Sequence, residues 1–132
     1  MPEIKFSPMI CGIVDERGEI AAMYKGVPQN DIGINSDVVS NVPKSIGINM
    51  LIRSMGPQII ICDEIGSKED IEAIEKAVLS GVKGVFTVHA SNIEEIKQNA
   101  NLYKLIEKKI IQRIVILDSQ NKGKIKQVEI MD

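Results

Sequence analysis

Three isoleucines and a cysteine, Ile59-Ile60-Ile61-Cys62, run directly into two carboxylates, Asp63-Glu64. A short apolar run of this kind reads as a buried strand. Its acidic pair then lies at the carboxyl end of that strand. The flanking sequence says what sort of sheet it joins. Pro43 suits a first helical position and Gly56-Pro57 supplies a stop, which predicts a helix over Pro43–Met55. Ile46, Met50 and Leu51 share one face of it, with Arg53 near its C-terminal end. The acidic strand follows as Gln58–Cys62. Ser67-Lys68-Glu69-Asp70 opens a second helix in capping-box fashion. Ile71, Ile74 and Val78 form its apolar stripe, and Gly81 closes it.

Val82–Val88 reads as the next strand, running up to His89. Ser91-Asn92-Ile93-Glu94 opens a third helix, expected to break near Asn99 and resume through Leu102, Leu105 and Ile106. Arg113–Leu117 reads as a strand, Asn121 and Gly123 as a turn, and Ile125–Ile130 as the return of a hairpin. Before residue 43, Ile10–Val14 reads as a strand that ends in Asp15-Glu16-Arg17. Residues 18–42 read as a long structured loop with a short strand near Ile20–Tyr24. The alternation of helix and strand implies an α/β fold with a mostly parallel sheet. Right-handed crossovers bring the ends of strands 58–62 and 82–88 to one sheet edge. Ligand chemistry in open α/β sheets gathers at that edge. Asp63, Glu64 and His89 should therefore meet there, with Asp15 and Glu16 beside them.

Composition sets limits on partners. The chain has 132 residues, enough for one domain, and a net charge of −2 that supplies no basic field for nucleic acid. Aromatic residues are 3% of the total, with no Trp, so Ile, Val and Met must fill the core. Cys11 and Cys62 form no C-x-x-C pair. Nothing suggests a disulfide framework, which fits a reducing compartment. No apolar stretch reaches the ~20 residues that span a bilayer, and signal-peptide architecture is absent.

The acidic pair has the form of a Walker B strand, in which Asp63 holds magnesium through water and Glu64 orients or deprotonates the attacking water. The alternative is an acidic turn after a buried strand. His89, the single histidine, either senses a γ-phosphate or contacts a metal, or else finds a hydrogen bond at a strand terminus. With no second His and no Cys cluster, zinc is not expected. Asp15, Glu16, Arg17 and Glu19 either line a nucleotide or subunit interface or form a solvated turn. Arg53 either complements its helix C-terminus or reaches an anionic ligand. Lys104, Lys108 and Lys109 read as a solvated face. No phosphate-binding loop of the form G-x-x-x-x-G-K-[ST] occurs in the chain.

Taken in order, the motifs resemble those of the stage III sporulation protein AA family of endospore-forming bacteria. They are Asp15-Glu16-Arg17-Gly18-Glu19-Ile20, Gly26-Val27-Pro28-Gln29-Asn30-Asp31, Leu51-Ile52-Arg53-Ser54-Met55, Cys62-Asp63-Glu64-Ile65-Gly66 and Thr87-Val88-His89. That family is similar to the ATPases of type II and type IV secretion and of twitching pili. The resemblance implies a three-layer RecA-like P-loop NTPase core with ATP and Mg2+ as cofactors. It implies a homo-oligomeric ring, a hexamer, in the cytoplasm of the mother cell, peripheral to a membrane-embedded apparatus facing the forespore. It matches Asp15-Glu16 to the acidic box, Asp63-Glu64 to Walker B and His89 to the His box. Arg17 and Arg53 match arginines near the nucleotide or subunit interface. Gly18, Ser67 and Asn35 depart from the pattern, where Ser, Arg and a nearby Arg are common.

The resemblance makes this chain, as a single domain, the C-terminal part of such an ATPase, with strand, P-loop and helix ahead of it. Two consequences are expected. By itself the chain binds ATP weakly and does not hydrolyse it. The 82–88 strand is left at an open edge, to be closed by strand 113–117 or by another copy of the chain. Two other readings compete: a non-catalytic docking or assembly module with the same fold, and a metal-dependent phosphotransfer domain that uses Asp15 and Asp63 without a P-loop.

Overall fold

The computed structural model describes residues 10–18, 20–21, 23–24, 27–28 and 36–131. Glu19, Gly26, the Gln29-Asn30-Asp31 end of the second motif, Gly33 and Asn35 lie outside the described residues. The elements are β1 (Cys11–Asp15), β2 (Met23–Tyr24), β3 (Val27–Pro28), β4 (Ser36–Ser40), α1 (Lys44–Ser54), β5 (Ile59–Cys62), α2 (Lys68–Leu79), β6 (Lys83–Phe86), α3 (Ile93–Gln98), α4 (Ala100–Glu107), β7 (Arg113–Leu117) and β8 (Ile125–Ile130).

The main sheet has the order β4-β1-β5-β6, and every pairing in it is parallel. Register places Val14 beside Cys62 and Cys62 beside Phe86. The strand ends that carry the acidic residues are therefore level. One sheet face supplies Val14, Ile60 and Cys62 to a single core with Ile48 and Leu51 of α1, Ile71 and Ile74 of α2, and Leu102 and Leu105 of α4. The opposite face carries Ile13, Ile61 and Val85 in one register row. Ile13 is buried, while Val85 is exposed.

Local signals account for the helices. Ser67 and Asp70 complete the capping box of α2, satisfying otherwise orphaned N–H groups. The third helical stretch does break at Asn99, whose side chain accepts the N–H groups of Asn101 and Leu102 and so starts α4. Gly47 is required by packing. A Cβ there would stand 2.8 Å from Cγ1 of Val14, so α1 approaches β1 only because the side chain is missing. Gly47→Ala is expected to cost about 1–3 kcal/mol through overpacking, read from a urea midpoint shift at unchanged slope.

Three expectations need correction. The loop expected over 18–42 contains β4, an edge strand of the main sheet. Its sequence, Ser36-Asp37-Val38-Val39-Ser40, has only two apolar residues, which face opposite sides. An edge strand needs no alternating apolar pattern, and pairing with β1 creates it. The strand expected over Val82–Val88 stops at Phe86, three residues before His89. Finally, of the two ways offered for closing the β6 edge, β7 does not take the first: among the described residues it pairs antiparallel with β8, in the expected hairpin. The Asp118 side chain accepts the N–H groups of Gln120 and Asn121, and Asp118 N–H donates to Lys124. This tight turn makes the local partner the one of lower closure entropy.

Candidate functional site

The carboxyl edge of β1, β5 and β6 gathers most of the expected site residues. Asp63, the first residue past β5, is 7% exposed. Neither of its carboxylate oxygens is exposed, and neither has a hydrogen-bond partner among the described residues. Glu64 follows with a positive φ of 41°. Its Oε2 lies 3.1 Å from an Arg17 guanidinium nitrogen, and its Oε1 lies 3.2 Å from His89 Nε2. Both partners are largely exposed, so these contacts add little to stability. What they do is orient the Glu64 carboxylate between two donors. The Glu64 N–H donates to Thr87 Oγ1 at 2.8 Å, which ties the end of β5 to the segment leading into His89.

Asp15 is fully buried, and its two oxygens accept the N–H groups of Ile20, at 3.2 Å, and Ala21, at 2.9 Å. It therefore holds the turn that carries Glu16 and Arg17. The reading of Asp15 as a metal ligand paired with Asp63 finds no support in that geometry. Among the described residues no cluster of three or more His, Cys, Asp or Glu could hold a metal. Glu16 meets the Lys44 ammonium at 2.5 Å. Arg53 is not brought to this edge. It is exposed in the last turn of α1, and α1 runs back to the amino end of β5, about 16 Å of helix away from its Lys44 end.

Lys44 was not foreseen. It is 8% exposed at the start of α1, where a cation opposes the helix dipole. That anomaly in the sequence was the available signal. Burial pushes its ammonium toward neutrality, but the Glu16 hydrogen bond and charge, with Asp70 and Cys62 nearby, outweigh burial and leave its pKa above the usual lysine value. Burial pushes the Cys62 thiol up to about 12, although the Lys44 charge opposes this. Cys62 is thus a core thiol with almost no thiolate at neutral pH. Asp70 is also buried, and its carboxylate accepts the N–H groups of Gly66 and Ser67. Together with an Asn101 side-chain bond to the Gly66 carbonyl, this fixes the loop after Glu64.

Comparison with known proteins gives this arrangement a context. Residues 5–130 match the model of the family described as sporulation stage III, protein AA. The chain is 40% identical over 116 residues to stage III sporulation protein AA of Bacillus subtilis (strain 168), an alignment covering 88% of this chain and 38% of that protein. In structure it is similar to the Legionella pneumophila ATPase DotB, with a TM-score of 0.54 and 16% identity over 94% of this chain and 46% of that one. The likeness to DotB shows a shared RecA-like P-loop NTPase fold. The chain spans less than half the length of either protein. No helix among the described residues is long and apolar enough to cross a membrane. With the family match running over nearly its whole length, the chain belongs to the sporulation stage III protein AA family.

Proposed function

We propose that this chain carries the magnesium-facing and water-facing side of an ATPase site, within a longer protein that powers a channel between mother cell and forespore. The observation that carries this reading is Asp63, a buried carboxylate with neither oxygen bonded among the described residues. Such a charge is costly when left alone. The O–H groups of a hydrated divalent cation relieve that cost. One carboxylate, with no ligand cluster beside it among the described residues, suits magnesium, which keeps most of its waters.

Glu64 stands one residue further on, its carboxylate aimed by Arg17 and His89. From there it would orient an attacking water and accept its proton. His89 and Arg17, both donors at the same edge, would meet the anionic side of a nucleotide. When bound, MgATP supplies the electrophilic phosphorus. A phosphate cradle of backbone N–H groups and a lysine is needed as well, and the chain contains no G-x-x-x-x-G-K-[ST] segment. The longer protein would supply it. It would act as a homo-oligomeric ring, a hexamer, on the cytoplasmic side of a membrane-embedded apparatus.

Titrating MgATP into the isolated chain and into the longer protein tests the proposal. The isolated chain is expected to bind no tighter than millimolar and to hydrolyse nothing. The longer protein is expected to bind in the micromolar range and to release phosphate only with magnesium present. Micromolar affinity in the isolated chain, or no magnesium-dependent hydrolysis by the longer protein, would overturn it.

A further inference from the structure

Glu64 holds a backbone conformation that side-chain-bearing residues rarely adopt, with φ at 41°. Such a conformation persists only where its surroundings over-determine it. Here three hydrogen bonds bracket it, and all three involve Thr87. The Thr87 N–H donates to the Cys62 carbonyl at 3.2 Å, and the Ile65 N–H donates to the Thr87 carbonyl at 2.9 Å. Between them the Glu64 N–H donates to Thr87 Oγ1 at 2.8 Å. Any residue but proline at position 87 could make the two main-chain bonds. The middle one requires a β-hydroxyl.

Two residues beyond Thr87, His89 meets the Glu64 carboxylate. One short segment after β6 therefore grips Glu64 twice, at its peptide and at its side chain. We infer that Thr87, through its hydroxyl, is the positioning residue for Glu64, fixing the left-handed turn that aims its carboxylate between Arg17 and His89. This deepens the ATPase reading and rests on it. Thr87 would touch no reacting atom. Its effect would pass through the direction of Glu64, and a misplacement of about 1 Å at a reacting group costs roughly 100-fold in rate. Without the hydroxyl only the two flanking main-chain bonds oppose rotation of the Glu64 peptide toward the extended or right-handed conformations its Cβ prefers. The carboxylate would then leave its two partners.

Thr87→Val keeps the β-branched shape and removes the hydroxyl, whereas Thr87→Ser keeps the hydroxyl. Amide hydrogen exchange in the intact protein is the first readout. In Thr87→Val the Glu64 N–H is expected to exchange about 10-fold faster, while the Ile60 and Ile61 amides of the central strand keep their protection. Thr87→Ser is expected to restore the Glu64 value. In the longer protein, Thr87→Val should lower kcat for ATP about 10- to 100-fold at nearly unchanged KM, as loss of an interaction made only in the transition state does. Unchanged Glu64 exchange would overturn the inference. So would faster exchange across the whole sheet, which would make Thr87 a fold residue instead. Unchanged kcat in a variant whose Glu64 amide is freed would overturn its catalytic part. If the unsubstituted longer protein hydrolyses no ATP, the ATPase reading falls, and the exchange comparison still decides whether Thr87 positions Glu64.

Discussion

Asp63→Ala is expected to make the metal-free chain more stable, by about 1–3 kcal/mol, and to end magnesium-dependent turnover in the longer protein. Both effects come from the same geometry. The Asp63 carboxylate is buried with both oxygens unpartnered among the described residues, so folding strips its water and no described residue returns a hydrogen bond. Removing the carboxylate removes that penalty, and the small void left behind gives back only part of the gain. Most core substitutions destabilise, so a rise in the urea midpoint would be a distinctive result. A fall would show that the carboxylate is satisfied in solution. Added magnesium should not change the stability of Asp63→Ala, whereas it should stabilise the unsubstituted longer protein by mass action.

The second large effect concerns the Glu16–Lys44 pair, where the two halves are unequal. The Lys44 side chain is 9% exposed and that of Glu16 is 38% exposed. Glu16→Gln strands the buried cation and is expected to cost about 3–5 kcal/mol. Lys44→Met leaves the better-solvated carboxylate behind and is expected to cost about half as much. The double variant should recover much of the loss, because an apolar side chain replaces a buried ion pair at little net cost. Chemical denaturation of the three variants checks the order. Equal costs for the two single changes would mean that burial does not control the pair.

The same residues set an alkaline limit. Lys44 has a pKa raised above its unfolded value of 10.5. Its contribution is complete below that pH and is lost as pH rises through the higher folded value. The Cys62 thiol is raised from 9.0 to about 12. Its contribution is complete below pH 9.0 and is lost between there and about 12. Stability should therefore fall from about pH 9 upward, and Lys44→Met should lose the upper part of that fall.

What could be read without coordinates was local. The Ile59–Cys62 run, the Ser67–Asp70 capping box and the break at Asn99 each declare themselves within a few neighbouring residues. So does the hairpin turn near Gly123. These signals also sufficed for a parallel sheet with Asp63, Glu64 and His89 at one edge. The edge strand β4 escaped notice because its two valines carry no periodic pattern and only the neighbouring β1 makes it a strand. The β7–β8 hairpin was legible in its turn residues, but whether β7 also reaches the β6 edge is a competition between distant and nearby edges, and chain entropy favours the nearby one.

Asp15 shows the division most clearly. The sequence placed it beside the acidic pair, as the folded chain does, but only the fold shows its oxygens bonded to the turn at Ile20 and Ala21. The Lys44–Glu16 pair spans 28 positions, and the Thr87–Glu64 bond spans 23. Neither leaves a pattern in the intervening residues. By itself the sequence determined most of the elements from residue 43 onward, their order and the edge where the acids collect, since backbone preference and apolar spacing act over short stretches. Tertiary structure decided which acids are engaged and which is left bare. Burial and partnership belong to residues that meet only after the chain has folded.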